Sequence, residues 1–133
     1  MGCTPLYANQ SDPLAICCNE SINQLLMPFN NSLPTTLMKL QSDLPGSVFS
    51  NSDDFRFVSD LKSNVAKYGI SNTTGSCLSE YFGGTPCADR DRYLYFDMVH
   101  TTQAANYVFS LNCFNGTLCS PGNIISLVGA QVY

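Results

Sequence analysis

The chain has no tryptophan, a single histidine and few charges of either sign. Of its 133 residues, Lys and Arg supply 6 and Asp and Glu 10, so charged residues make up only 12%. A formal charge of −4 with no basic stripe leaves nothing to neutralise a run of phosphates, which argues against a nucleic-acid partner. No apolar run approaches the ~20 residues that a membrane-spanning helix requires, so no transmembrane segment is expected. The opening Met1-Gly2-Cys3-Thr4-Pro5-Leu6 lacks the cationic start and apolar stretch of a signal peptide. Leu6 also stands where a myristoylation site needs Ser or Thr. Internal repeats, low-complexity tracts and linkers are missing too. The length suits one domain with a core of its own.

Cysteine, by contrast, is abundant. Seven of them lie among Pro, Gly and Asn rather than in apolar runs. Asn9-Gln10-Ser11, Asn19-Glu20-Ser21, Asn30-Asn31-Ser32, Asn72-Thr73-Thr74 and Asn115-Gly116-Thr117 match the N-glycosylation acceptor pattern. Together these features describe a secreted, disulfide-permissive glycoprotein. Such a chain without an export signal is expected to be incomplete.

Hydrophobic spacing supplies the coarse architecture. Residues 3–18 are polar and turn-rich. Ile22, Leu25, Leu26, Phe29, Leu33, Leu37, Leu40 and Leu44 then recur at threes and fours, the pattern of one helical face. An interior proline costs on the order of 3 kcal/mol, so Pro28 and Pro34 predict two pieces, roughly 19–27 and 34–43, or one strongly kinked helix. The leucine face is expected to pack into the core rather than bind lipid. Ser47-Val48-Phe49-Ser50 is a strand candidate. Asp53 or Asp54 can cap a helix bearing Phe55, Val58, Leu61, Val65 and Tyr68, ended by Gly69. Residues 70–92 are expected to form a long loop, with Asp89-Arg90-Asp91-Arg92 as a solvated turn. Thr101 or Thr102 can cap a helix carrying Ala104, Ala105, Val108 and Phe109. A loop from Cys113 through Pro121-Gly122 leads to an apolar run at 124–128. This order is a piece of an α/β layered domain with too few strands for a sheet covered on both faces.

One stretch carries chemistry: Tyr95-Phe96-Asp97-Met98-Val99-His100-Thr101-Thr102. The only histidine stands three residues after an aspartate. A carboxylate at that spacing can fix the imidazole tautomer and stabilise the imidazolium, which makes Asp97 and His100 the base half of a Ser-His-Asp hydrolase. One histidine, with cysteines spaced unlike zinc ligands, points away from a metal site, and no cofactor is expected.

Around this pair the landmarks resemble the C-terminal part of the plant-type GDSL esterase/lipase family, within the SGNH hydrolase superfamily. Gly2-Cys3-Thr4-Pro5 resembles the family's Gly-Cys-x-Pro. Cys17 or Cys18 followed by Asn19 resembles the cysteine that opens a long helix. Leu44-Pro45-Gly46 resembles the lead into a strand, and Tyr68-Gly69-Ile70 the Tyr-Gly-Phe segment. Cys77 and Cys87, then Tyr93 to Asp97 and His100, resemble the cysteine loop and its Asp-x-x-His block. Pro121, Asn123 and Ile124 resemble the closing Pro-x-Asn-Ile. Asp-x-x-His alone is a weak motif; the whole series in order is specific.

The resemblance implies that residues 1–133 are the C-terminal segment of a single GDSL/SGNH hydrolase domain. The implied fold is part of a three-layer, flavodoxin-like α/β architecture whose sheet is incomplete on its own. It implies a serine ester hydrolase acting on ester or lipid small molecules, with Asp97 and His100 as the catalytic positions. Two departures touch the site: Phe96 stands where the family has Trp, and Thr101 where it has Pro. The family's Gly-Asp-Ser nucleophile block and the Gly-x-Asn-Asp that completes its oxyanion hole occur nowhere in this chain. The segment is therefore expected to be inactive alone. The alternatives are a non-catalytic secreted glycoprotein and a gene-model fragment that does not fold independently. Cys3 is expected to bridge to Cys17 or Cys18, Cys77 to Cys87, and Cys113 to Cys119. That leaves one thiol of the Cys17-Cys18 pair over.

Overall fold

Helix α1, Glu20–Asp43, dominates the first third of the chain in the computed structural model, which describes residues 1–8, 18–78 and 84–130. Asn19 caps it, its side chain accepting from the Ile22 N–H at 3.2 Å. The helix start is tied to the N-terminal turn from three sides. Asn19 N–H donates to Gly2 O at 2.7 Å, Gly2 N–H donates to Asn23 Oδ1 at 3.0 Å, and Cys3 is bridged to Cys18. A Cβ on Gly2 would lie 2.2 Å from the Asn19 carbonyl oxygen, so only glycine permits this approach. Cys18 is thus the partner of Cys3; Cys17 and the Asn9 sequon lie outside the described residues.

The helix runs unbroken through Pro28 and Pro34 rather than dividing into two pieces. Each proline leaves the carbonyl four residues earlier without its helical donor. Both prolines are exposed, as are Gln24 and Asn30, so water can serve those carbonyls. Ser32 Oγ donates to Phe29 O at 3.0 Å and Thr36 Oγ1 to Ser32 O at 2.9 Å, adding local bonds along this stretch. The leucine face is not core. Asn23 is the one buried residue of α1, while Leu25, Phe29 and Met38 are 78%, 62% and 65% exposed.

After α1, residues 47–50 form no strand; β1 is Asn51–Ser52, paired antiparallel with β4, Cys119–Ser120. Ser50 Oγ reaches across to Ser120 O and Gly122 O at 3.2 and 2.7 Å. Asp53 caps α2, Asp54–Ser63, and the helix breaks at Asn64 before α3, Val65–Tyr68, which Gly69 ends with φ 70°. The buried face of α2 carries Phe57 and Leu61; Phe55 points outward.

The expected loop at 70–92 contains a strand. β2, Asn72–Ser76, pairs in parallel with β3, Tyr93–Tyr95, with an irregular register between Asn72 and Ser76. Asn72 Oδ1 accepts from the Gly75 N–H at 2.9 Å, folding a turn into the strand itself. A polar Asn-Thr-Thr-Gly-Ser run carries no alternating pattern, and its strand character comes from its neighbour β3. Arg90–Arg92 form one exposed 3₁₀ turn before β3, as expected of that charged stretch. Helix α4, Gln103–Phe114, packs on β3, and α5, Ile124–Ala130, follows a cis Ser120-Pro121 peptide. Asn123 caps α5 by accepting from the Ser126 N–H at 2.9 Å.

The core is small. Phe57, Leu61, Ile70, Leu94, Tyr95 and Ala105 are buried, flanked by Val58, Tyr68, Val108, Phe109 and Leu118. The Phe57 ring meets Tyr68 and Phe109 edge-on at 5.9 and 5.5 Å. Burying a side chain of this kind stabilises by about 1.5–3 kcal/mol, so this cluster holds α2, the Ile70 segment, β3 and α4 together. The architecture is α/β with small sheets, and no helix among the described residues is long and apolar enough to cross a membrane.

Candidate active site

β3 delivers the chain into a tight turn, and the turn makes the site. Phe96 N–H donates to His100 O at 2.7 Å, Tyr95 bridges antiparallel to Thr101, and Thr102 N–H donates to Leu94 O at 3.0 Å. Residues 97–100 are therefore the reversal of a short hairpin whose two arms are pinned to each other. Neighbouring backbone fixes it from outside. Leu78 N–H donates to Phe96 O at 2.6 Å, Cys77 N–H to Tyr95 O at 3.0 Å, and Leu6 N–H to Met98 O at 2.9 Å. Cys77 is itself bridged to Cys87.

Within the reversal, Asp97 organises the turn with one oxygen and the imidazole with the other. Its Oδ1 accepts from the Val99 and His100 N–H groups at 2.8 and 2.7 Å, and its Oδ2 lies 2.8 Å from His100 Nδ1. An ionised Asp97 makes Nδ1 the donor nitrogen, which leaves Nε2 with its lone pair as the basic one. The His100 side chain is 79% exposed and that of Asp97 33%, so Nε2 faces outward while the carboxylate is held against the turn. Partial burial acts to raise the Asp97 pKa. The backbone N–H groups of His100 and Val99, then the imidazole's hydrogen bond and charge, outweigh it and hold the carboxyl below its ordinary value. Behind the pair, burial pushes Tyr95 up to about 12, so its ring stays a neutral part of the core.

Of the two departures, Phe96 and Thr101, the second has a clear local role. Thr102, not Thr101, caps α4: its Oγ1 accepts from the Ala105 N–H at 3.2 Å and donates to Tyr93 O at 2.6 Å. Thr102 is 3% exposed and joins helix, strand and turn. Thr101 Oγ1 donates to Asn106 Oδ1 at 2.6 Å, so a side-chain bond to the first turn of α4 stands where a proline would have restricted the backbone. Phe96 is half-buried. Asn106 and Met98 were not expected to matter. Met98 supports the turn through its carbonyl and accepts at Sδ from Ser76 Oγ at 3.8 Å; a polar spacing rule gives no signal for either residue.

Asp97 and His100 thus meet, in a geometry fit to take a proton at Nε2 and stabilise the resulting charge. Among the described residues no serine hydroxyl is hydrogen-bonded to His100, and no group of three His, Cys, Asp or Glu side chains is placed to hold a metal. An apolar cavity of about 640 Å³ lies elsewhere, between α4, α5 and the β1–β4 pair, lined by Phe109, Cys113, Phe114, Cys119, Ile124 and Leu127 among others. The expected Cys113–Cys119 bridge at that cavity is not formed; both are thiols.

Comparison with known proteins points to one family. One GDSL esterase/lipase of Arabidopsis thaliana is 31% identical over 138 residues, covering 96% of this chain and 35% of its own length. A second is 30% identical over 145 residues, 99% of this chain and 39% of its own. A third is 30% identical over 141 residues, 96% and 36%. No family model matches. The chain belongs to the GDSL esterase/lipase family, a family of ester hydrolases, and spans little more than a third of the length of the curated relatives it matches.

Proposed function

We propose that residues 1–133 form the C-terminal segment of one GDSL/SGNH hydrolase domain and supply Asp97 and His100 to a catalytic triad whose serine lies on polypeptide outside this chain. The observation that carries this reading is the 2.8 Å contact between His100 Nδ1 and Asp97 Oδ2, with Nε2 turned outward. His100 Nε2 would take the proton of that serine as its oxygen attacks a carboxylic ester. Asp97 would stabilise the imidazolium, which then protonates the departing alcohol. In the second half, His100 would deprotonate water, and its attack on the acyl-serine would release the acid. The substrate class is an ester or lipid small molecule, by kinship with the GDSL esterase/lipases.

The exposed apolar side of α1 supports a larger domain, in which further strands and helices complete a three-layer, flavodoxin-like sheet. The chain exposes 8956 Å². A compact monomer of its 14.5 kDa mass would expose roughly 6,900 Å². The two disulfides and the sequons support a secreted glycoprotein.

A base and its orienting carboxylate without nucleophile or oxyanion donors cannot run this cycle, so the 133-residue chain alone is expected to be inactive. Assay of the purified chain with a short-chain aryl ester tests this. No hydrolysis above buffer is expected; robust turnover that disappears in His100→Ala would overturn it. A second reading, a non-catalytic secreted glycoprotein, draws on the triad serine missing from this chain and on Thr101 at an altered position. Cooperative unfolding of the secreted 133-residue chain would favour it.

A further inference from the structure

We infer that Cys113 and Cys119 form a thiol–disulfide site, closed by a soluble disulfide oxidant of the glutathione class, with Cys119 attacking and Cys113 resolving. Cys113 sits in the last turn of α4, 8% exposed, and Cys119 opens β4, half-buried. Both side chains line the same cavity, between α4, α5 and the β1–β4 pair. This placement is imposed by the fold. Cys119 is held on one side by its pairing with Ser52, while the Asp53 N–H donates to Leu118 O at 3.3 Å. On the other side the turn out of α4 is fixed by Asn115 N–H on Leu111 O at 3.1 Å, and Asn123 Nδ2 donates to Gly116 O at 3.1 Å. Both ends of the 113–119 loop are therefore positioned before any covalent bond forms.

The surroundings divide the labour between the two sulfurs. Burial first, then the neighbouring Cys119 and Asp54, push the Cys113 thiol up to about 12. Cys113 stays protonated at neutral pH and is poorly placed to meet a molecule from solution. Cys119 is the more accessible thiol, and both line the open apolar cavity between α4 and α5.

The chemistry balances with one oxidant molecule. The Cys119 thiolate attacks one sulfur of oxidised glutathione, its S–S bond breaks, and one glutathione thiolate leaves and takes up a proton. Cys113 then loses its proton and attacks Cys119 Sγ, expelling the second glutathione thiolate, which is protonated in turn. Two cysteine thiols become one disulfide, and one oxidised glutathione becomes two reduced ones. The bond would tie the end of α4 to β4, fixing one wall of the cavity through α5.

The chain offers a direct test. No Lys or Arg follows Arg92, so trypsin releases residues 93–133 as one peptide whose only cysteines are Cys113 and Cys119. The full chain is equilibrated in glutathione buffers of increasing oxidation, with and without urea, alkylated, digested and weighed. The expected result is a 93–133 peptide lighter by two hydrogens and resistant to alkylation. It should form at an oxidised-to-reduced ratio on the order of tenfold lower in the folded chain than in urea, since the fold raises the thiols' effective concentration. Cys113→Ser should trap glutathione on Cys119, and Cys119→Ser should leave Cys113 unmodified while the chain stays folded by circular dichroism. Two alkylatable thiols under oxidising buffer, closure equally easy in urea, or glutathione trapped on Cys113 in Cys119→Ser would each overturn the assignment.

Discussion

Helix α1 and the cluster around Leu94 are built from the same kind of residue and end in opposite situations. Both present apolar side chains at helical or strand spacing. In the cluster, Leu61, Ile70 and Leu94 are 0%, 1% and 1% exposed, while on α1 Leu25 is 78% exposed. The difference is in the neighbours. β3 has β2 on one side and α4 across it, and the Asp97–His100 turn is an extension of that packed strand. α1 is anchored at its first turn by Gly2, Asn19 and Cys18, and beyond Asn23 none of its residues is buried. Periodicity says which face of a helix can be covered; it does not say that a cover is present.

Four substitutions sharpen the contrast, from the largest effect to the smallest. Leu94→Ala should destabilise by about 2–5 kcal/mol, because a fully buried leucine leaves a cavity. Urea denaturation followed by circular dichroism measures this, and an effect near zero would mean that the cluster is not the core. Thr102→Ala should cost about 1 kcal/mol, the usual loss for an N-cap, and loosen the return arm of the hairpin. Asp97→Asn should act through pH. The folded Asp97 carboxyl titrates below its unfolded value, so its stabilisation is complete above the unfolded pKa and fades as pH falls through the folded one. Wild-type stability should therefore drop below about pH 4, and the variant should show a shallower drop on the same acid titration. Leu25→Ala should change stability by no more than about 0.5 kcal/mol; a larger loss would show that α1 is covered in solution.

The Asp97–His100 contact was legible because it is local. Asp97 and His100 are three apart, and a turn closing i to i+3 is enough to join them. The caps at Asp53 and Thr102 and the stop at Gly69 were readable for the same reason: each acts within one turn of itself. What escaped is non-local. β2 became a strand only because β3 lies beside it, and its own Asn-Thr-Thr-Gly-Ser sequence resembles a loop. β1 formed at 51–52 rather than 47–50 because β4 pairs there. The Cys113 and Cys119 pairing was half visible: proximity was correct, and the covalent bond is not formed in the structure. Of the two readings offered for α1, the division into two pieces failed for an energetic reason, since water at an exposed surface can serve the carbonyls that proline orphans. Thr101 illustrates the remaining ambiguity. The sequence offered two adjacent threonines as cap, and the buried bond from Thr102 to Tyr93 O decides between them.

The central claim is that Asp97 and His100 are the base half of an ester-hydrolase mechanism. The most direct measurement joins residues 1–133 to the upstream two-thirds of an Arabidopsis GDSL esterase/lipase, replacing the relative's own matching segment. Turnover of a short-chain aryl ester is then compared across His100→Ala, Asp97→Asn and the unsubstituted chimera. The account predicts an active chimera whose kcat falls on the order of 10³-fold or more in each variant, as for loss of a triad member. An active chimera indifferent to His100→Ala would contradict it.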